Sequence, residues 1–481
     1  MHAEPFGHLA HRQVRAGTDL AELVEQRLQE TLLAFSDRRS HGASLDSFTT
    51  VEYVSATPNS PLLRTESSSE EGCMPEIWFA GGVVADGSGA EPFRADVCVS
   101  DGVITAIGQA PSSAQTVDLD GMLLTPGLID AHVHLGLSSP IRAQFGFQLS
   151  VAELAADIFA NAGHALDAGF TTVRDTGGID GGVVAAIANG KVRGPHVISC
   201  GPVQCQTGGH GYYGAAWEPT ELWEKHHVPG LGALSLMSAN ADELRRNVRE
   251  SFRRGATFLK LCVTGGVVGG NDHLGDTQFT IEEIAVAVEE ARARGTYVTV
   301  HAHNNAGIRN AVQAGVRCVE HGTDIDEPTA RLMREHDVAL IPTFAVVEQL
   351  ADTDSLDVDP ATRDRIAGVR VRMAAALHAA RAAGVRVGLG SDLIGPNQQR
   401  RGEELRLRAD LESPMQALVS ATSVNADILG LGETAGMIRV GMRADLVAWR
   451  EDPLRDATVF ADPEMAALVV KAGRIVKGEA R

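Results

Sequence analysis

The chain has no apolar run of membrane-spanning length and no basic-then-apolar leader in its first residues, so neither a transmembrane helix nor a secretory signal is expected. It also lacks a surplus of positive charge: 42 Lys and Arg stand against 62 Asp and Glu in 481 residues, a formal net charge of −20. Phosphate-backbone binding needs clustered cations, so nucleic acid is excluded as a partner. No C-x-x-C spacing occurs among the six cysteines, Cys73, Cys98, Cys200, Cys205, Cys262 and Cys318. Scattered in this way they fit reduced thiols in a cytoplasm rather than a disulfide frame, and Cys200 and Cys205 are read as buried packing. No G-x-G-x-x-G follows the first strand of the α/β region, which leaves a doubly wound sheet as the weaker architecture. What is present is an ordinary globular composition, in a chain long enough for one large domain and a smaller one.

Texture divides the chain. Residues 1–75 hold one stretch of helical spacing, Asp19 to Leu33, and then a Ser/Thr-rich acidic run ending Ser67-Ser68-Ser69-Glu70-Glu71-Gly72-Cys73. That run is too polar to pack, so this segment is expected to be a largely disordered appendage. Short strands with turn signals follow from Glu76, and the same texture returns at Ala444 to Trp449 and Ala467 to Val476. Strand-rich ends around a long middle predict a β-sandwich domain built from both termini, over 76–124 and 432–481. Between them apolar strands alternate with helical stretches, at 128–135, 170–175, 196–201, 257–263, 296–302, 317–321, 338–344 and 385–391. Eight such strands predict an α/β fold with a (β/α)8 TIM barrel over residues 125–431.

The C-terminal ends of those strands collect reactive side chains. The first ends in His132-Val133-His134, where alternate residues of a strand aim two imidazoles at one point. Later strands end in Arg174-Asp175, His301-Ala302-His303, Glu320-His321 and Ser391-Asp392, and the fourth carries Lys260. Singly, each has an ordinary explanation as a hydrogen-bonded residue or a helix cap. Together, at the one end of a barrel where they converge, imidazoles and a carboxylate make a metal site. Lys260 in Phe258-Leu259-Lys260-Leu261 is out of place there, since a buried ammonium is costly and repels cations. Either it neutralises neighbouring carboxylates, or its amine has reacted with carbon dioxide to give a bridging carbamate.

Asp130-Ala131-His132-Val133-His134, Leu259-Lys260-Leu261, Val300-His301-Ala302-His303, Val319-Glu320-His321-Gly322 and Gly390-Ser391-Asp392 resemble the metal-dependent amidohydrolase superfamily. Arg174-Asp175-Thr176-Gly177-Gly178, Gln206-Thr207-Gly208-Gly209-His210-Gly211 and Cys262-Val263-Thr264-Gly265-Gly266-Val267 narrow the likeness. They resemble its branch of imidazolonepropionase-like proteins, prolidase-type dipeptidases, Xaa-Arg and Xaa-Lys carboxypeptidases and ochratoxin amidases. The likeness runs over about residues 76–478. It implies two divalent cations, zinc by common usage, with His132, His134 and Asp392 on one, His301 and His321 on the other, and N6-carboxylysine at Lys260 between them. At such a site Asp392 can take a proton from water and return it to the leaving nitrogen, or serve as a ligand alone, and the resemblance implies that His210 polarises the scissile carbonyl.

The long loop expected from Gly201 to about Ser235 carries His210, Tyr212, Tyr213 and Trp217 among glycines, as a lid would. Tyr212 or Tyr213, His303 and Arg174 are candidates to touch substrate; loop packing, a role behind the ligands and an ion pair are their respective alternatives. His226-His227 reads as exposed loop polarity, and the glycines around 265–270 as a turn letting backbone approach a substrate. The expected activity is hydrolysis of a C–N amide bond in a small dipeptide-like or N-acyl amino acid substrate. Two alternatives stand beside it: a cyclic amide or amidine hydrolase, and a barrel scaffold without catalysis. No membrane partner is expected, and a homo-oligomer is left open.

Overall fold

The computed structural model describes residues 76–138, 149–215, 217–268, 272–352 and 360–478. The appendage expected over 1–75 lies outside them. Parallel strands alternate with helices through the middle of the chain, so the fold is α/β. Leu128–Val133 pairs with Phe170–Asp175, which pairs with His196–Ser199. A second parallel sheet runs Ser235–Ser238, Val203–Gln206, Leu259–Cys262, Val298–Ala302, Cys318–His321, Ala339–Ile341. Most of these strands are buried along their whole length, the mark of sheets covered on both faces.

Two expectations need correction. The stretch read as a structureless loop from Gly201 to Ser235 contains Val203–Gln206 and the 3₁₀ turn Thr220–His226, and leads into Ser235–Ser238. The stretch read as an eighth strand over 385–391 forms only a parallel bridge, Val387 with Leu340. There the Asn425 carboxamide accepts the Leu389 N–H at 3.0 Å and donates to the Leu389 carbonyl at 2.8 Å, standing in for ladder bonds. The segment nevertheless lies against the first strand, because Ala131 N–H donates to the Leu389 carbonyl at 3.0 Å and Asp392 N–H to the His132 carbonyl at 2.8 Å.

The helices form where capping and periodicity agree. Ser150 caps Val151–Asp167 and Thr280 caps Ile281–Arg292, each through a capping box with the glutamate three residues on. Ile284, Ala287, Val288 and Ala291 then share one face and join the main core with Leu259, Leu261, Val298 and Val300.

Strands from both ends of the chain combine. Arg474–Lys477, Ala466–Lys471, Leu446–Trp449, Leu123–Pro126, Val83–Val84 and Phe93–Arg94 make one sheet, and Val103–Gly108, Asp96–Ser100, Ile77–Ala80 and Thr116–Asp118 another. Phe79, Val97, Ile104, Leu124, Leu446 and Val470 share a core drawn from the two. Val447, Trp449 and Val469, from the same strands as Leu446 and Val470, pack instead with Leu128, Ile158 and Phe170 of the α/β region. This period-two alternation gives the sheet two apolar faces. Among the described residues no helix is long and apolar enough to cross a membrane.

Candidate metal centre and active site

The imidazoles at the strand ends are each tied down by one ring nitrogen. His132 Nδ1 donates to Glu320 Oε2 at 2.7 Å, His134 Nδ1 to the Gly177 carbonyl at 2.7 Å, and His301 Nε2 to the Gly265 carbonyl at 3.3 Å. An acceptor on one nitrogen places the proton there and leaves the other as a lone pair. His321 Nδ1 and His303 Nδ1 meet the hydroxyls of Thr343 at 2.8 Å and Thr323 at 2.7 Å. The lone pairs of His132 Nε2 and His134 Nε2 then face each other at 3.3 Å, with Asp392 Oδ1 3.3 and 3.1 Å away and Lys260 Nζ 3.0 Å from His132. Two lone pairs and a carboxylate at such spacing repel unless a cation lies among them, so the donor set fits a metal ion. Atoms of His132, His321 and Asp392 lie within 4.8 Å of one another, as do those of His301, His303 and His321. His321 belongs to both groups. Both His321 and Asp392 adopt positive φ, 68° and 55°, a strained conformation for residues with a Cβ that concentrates at functional sites.

Burial holds His134, His301, His303 and His321 below the ordinary imidazole value, His303 at about 3, so they are neutral and able to ligate. His132 runs the other way: burial and Lys260 push it down, but Asp392 and Glu320 outweigh them. Burial also opposes the charge on Glu320, yet Arg174 and His132 hold that carboxyl down to about 2.

The strand ends are locked behind these donors. Asp130 accepts the backbone N–H of His132 at 3.1 Å, the N–H of Ser391 at 3.0 Å and the Ser391 hydroxyl at 2.5 Å. Arg401 donates to Ser391 and to Gln398, whose amide donates to the carbonyls of His134 and Leu137 at 2.9 Å. This network fixes Asp392 against His132 and His134.

His210 stacks on His301 with ring centroids 4.2 Å apart, and its Nδ1 donates to Asp272 Oδ2 at 2.9 Å. Burial lowers its pKa, but the Asp272 bond more than offsets that and raises it. The glycine turn serves this ring: a Cβ on Gly266 would lie 2.0 Å from His210 Cε1, and Gly266 N–H donates to the same Asp272 carboxylate at 2.8 Å. The backbone approach expected at this turn is therefore to His210.

A cavity open to solvent borders the centre, and His134, Lys260, His301, His303, His321, Asp392, His210 and Tyr213 line it. Arg174 was expected to touch substrate; its guanidinium is instead fully buried, donating to Glu320 Oε1 at 2.6 Å and the Ala131 carbonyl at 2.6 Å. Pairing with an acid beats solvent exposure because the strand around it is closed on both faces. Tyr212 is likewise corrected: its hydroxyl donates to the Glu218 carbonyl at 3.1 Å and its ring packs on Trp223. His226 and His227 are not exposed polarity. His227 Nε2 donates to the Ser235 carbonyl at 3.0 Å, with burial lowering its pKa to about 4, and the His226 side chain is 9% exposed. Glu320, Asp272, Arg401 and Gln398 were missed as supports. Glu320 adjoins His321 in sequence, but the others carry no local signal.

Residues 123–476 match the amidohydrolase family. The chain belongs to the amidohydrolase family. As an amidohydrolase it is an enzyme that hydrolyses carbon–nitrogen bonds. It is 32% identical over 416 residues to the ochratoxinase of Aspergillus niger, spanning 82% of this chain and 86% of that one. A prolidase solved with N-methylphosphonate-L-proline is 33% identical with a TM-score of 0.78, over 84% of this amidohydrolase and 100% of the prolidase chain. A Xaa-Pro dipeptidase solved with methionine in its active site is 27% identical with a TM-score of 0.75, over 84% and 100%. An enzyme family leaves no place for the scaffold alternative.

Proposed function

We propose that the protein is a binuclear metal-dependent hydrolase cleaving the amide bond of a small dipeptide-like or N-acyl amino acid substrate. One observation carries the proposal: ring nitrogens of His132 and His134 are occupied by acceptors behind them, leaving lone pairs that converge with Asp392 and, at His132, with Lys260. His132, His134 and Asp392 would hold one cation and His301 and His321 the other. Zinc suits imidazole and carboxylate donors. Lys260, converted by carbon dioxide to N6-carboxylysine with loss of one proton, would bridge the two as an anion. Bound there, the cations would supply the positive charge that makes water acidic near neutrality and a carbonyl electrophilic.

The protein's own residues do the rest. Asp392 takes the proton of the attacking water and returns it to the leaving nitrogen. His210, its Nδ1–H held by Asp272 and its pKa raised by that bond, would as an imidazolium donate its second N–H, at Nε2, to the carbonyl oxygen, where charge develops. Tyr213 and His303, on the cavity wall, contact the substrate. The dipeptidase relatives favour an open-chain amide over a cyclic one. The frame is a (β/α)8 barrel over residues 125–431 that keeps its chemistry at the C-terminal face, with a β-sandwich from 76–124 and 432–481 beside it, in a cytoplasmic enzyme.

Metal analysis with activity on dipeptides and N-acyl amino acids tests this. The wild type is expected to hold about two ions per chain and to cleave amides. Lys260→Ala should lose metal and activity together, and Asp392→Asn should fold yet turn over at least about 10²-fold more slowly. Full activity in Lys260→Ala removes the bridging carbamate, and a wild-type rate in Asp392→Asn removes its proton transfer.

A further inference from the structure

The cavity wall says more about the substrate than the metal ligands do. One set of lining residues is Val346, Val347 and Leu350 of the helix Phe344–Ala351 with Met373 of the helix Pro360–Ala382, all part of the main hydrophobic core. A second set is Leu137, Val203 and Leu234, which belong to a separate cluster that includes Trp223. Ile394 packs against both clusters. Two apolar walls of independent origin therefore meet at the mouth that His134, His301 and Asp392 also line.

Fixed charge is scarce there. Among the described residues lining the cavity, the only Lys, Arg, Asp or Glu are Lys260 and Asp392, and both belong to the ligand set. A charged substrate side chain laid on either wall would lose water without gaining a partner, whereas an apolar one would gain by leaving water.

We infer that this enzyme selects amides carrying a bulky apolar group on each side of the scissile C–N bond, one group for each wall, with Val347 and Leu234 setting the two preferences. The inference rests on the amide-hydrolase reading above and deepens it. Discrimination of about tenfold or more per group is expected, the scale set by differences of a few methylenes in an apolar pocket.

Four amides test it as a two-by-two set: N-benzoyl-leucine, N-benzoyl-lysine, N-succinyl-leucine and N-succinyl-lysine, assayed with the metal-loaded full chain. The expected order of kcat/KM puts N-benzoyl-leucine at least about tenfold ahead of either mixed compound, with N-succinyl-lysine last. N-succinyl-lysine cleaved as fast as N-benzoyl-leucine overturns the apolar walls while leaving amide hydrolysis standing. If none of the four is cleaved by protein holding its metal, the hydrolase reading fails, and calorimetric binding of the same four compounds decides the inference. N-benzoyl-leucine binding tightest upholds it, and equal or inverted affinities overturn it. Val347→Asp and Leu234→Asp should each lower kcat/KM for N-benzoyl-leucine at unchanged metal content, and one of the two should gain on N-benzoyl-lysine. Val347→Thr and Leu234→Ser ask the same question should an aspartate prevent folding. Variants with wild-type preference count against the assignment.

Discussion

At the scale of single residues, the centre depends on atoms that never meet substrate. Gly266 shows this most directly, since any Cβ there occupies the space of the His210 ring. Gly266→Ala is expected to push His210 off Asp272, lowering kcat by about 10–10² while metal is kept by His132, His134 and Asp392, which lie outside this turn. Metal analysis beside steady-state kinetics checks this; unchanged kcat would detach His210 from the chemistry. The convergence of His132, His134, Lys260 and Asp392 was legible because His-x-His on a strand is a geometric instruction, and the family motifs pointed to the rest. The outer partners were not. Asp272 lies 62 residues from His210 and meets it only after the chain folds. Arg174 misled for the same reason, since sequence shows a cation at a strand end but not the buried Glu320 that claims it.

At the scale of elements, caps and periodicity located the helices well, whereas strands of four residues inside glycine-rich sequence were invisible. Val203–Gln206 reads as loop until Ser235–Ser238 and Leu259–Cys262 flank it. The 385–391 segment misled in the opposite sense, because apolar sequence promised a ladder that the Asn425 side chain interrupts. Helix pairing yields a pH prediction. Glu290 of Ile281–Arg292 is 6% exposed and bonds to Arg245 and Arg249 of the helix Ala241–Arg253. The Arg249 and Arg245 bonds outweigh the effect of burial and hold Glu290 at about 2, against 4.5 when free. A carboxyl depressed in the folded state stabilises above its unfolded value, and the contribution fades as pH falls through the folded one. Glu290→Gln should therefore cost about 1 kcal/mol at neutral pH, its arginine partners being partly exposed. The difference from wild type should shrink between about pH 4.5 and 2, as denaturant melts of the two proteins would show. A difference independent of pH assigns the cost to packing instead.

At the scale of the molecule, the ends of the chain close on one another. The likeness of texture between residues after 76 and those near 470 was enough to predict that they share sheets, and Leu123–Pro126 indeed pairs with Leu446–Trp449. Sequence could not reveal that this sheet has two apolar faces. Leu446 and Val447 are neighbours that point into different cores, and only the packed structure says what fills each side. Ile77–Ala80 is paired on both edges, by Asp96–Ser100 and Thr116–Asp118, and shares its core with residues up to Val470. The solved prolidase is matched over its whole length by 84% of this chain. We therefore expect removal of residues 1–73 to leave kcat/KM within about twofold and to shift Tm by no more than about 2 °C. Parallel melts and assays of the full and shortened chains decide it. An insoluble or metal-free shortened protein would mean that the first residues complete the fold, and the domain boundary proposed at residue 76 would have to move.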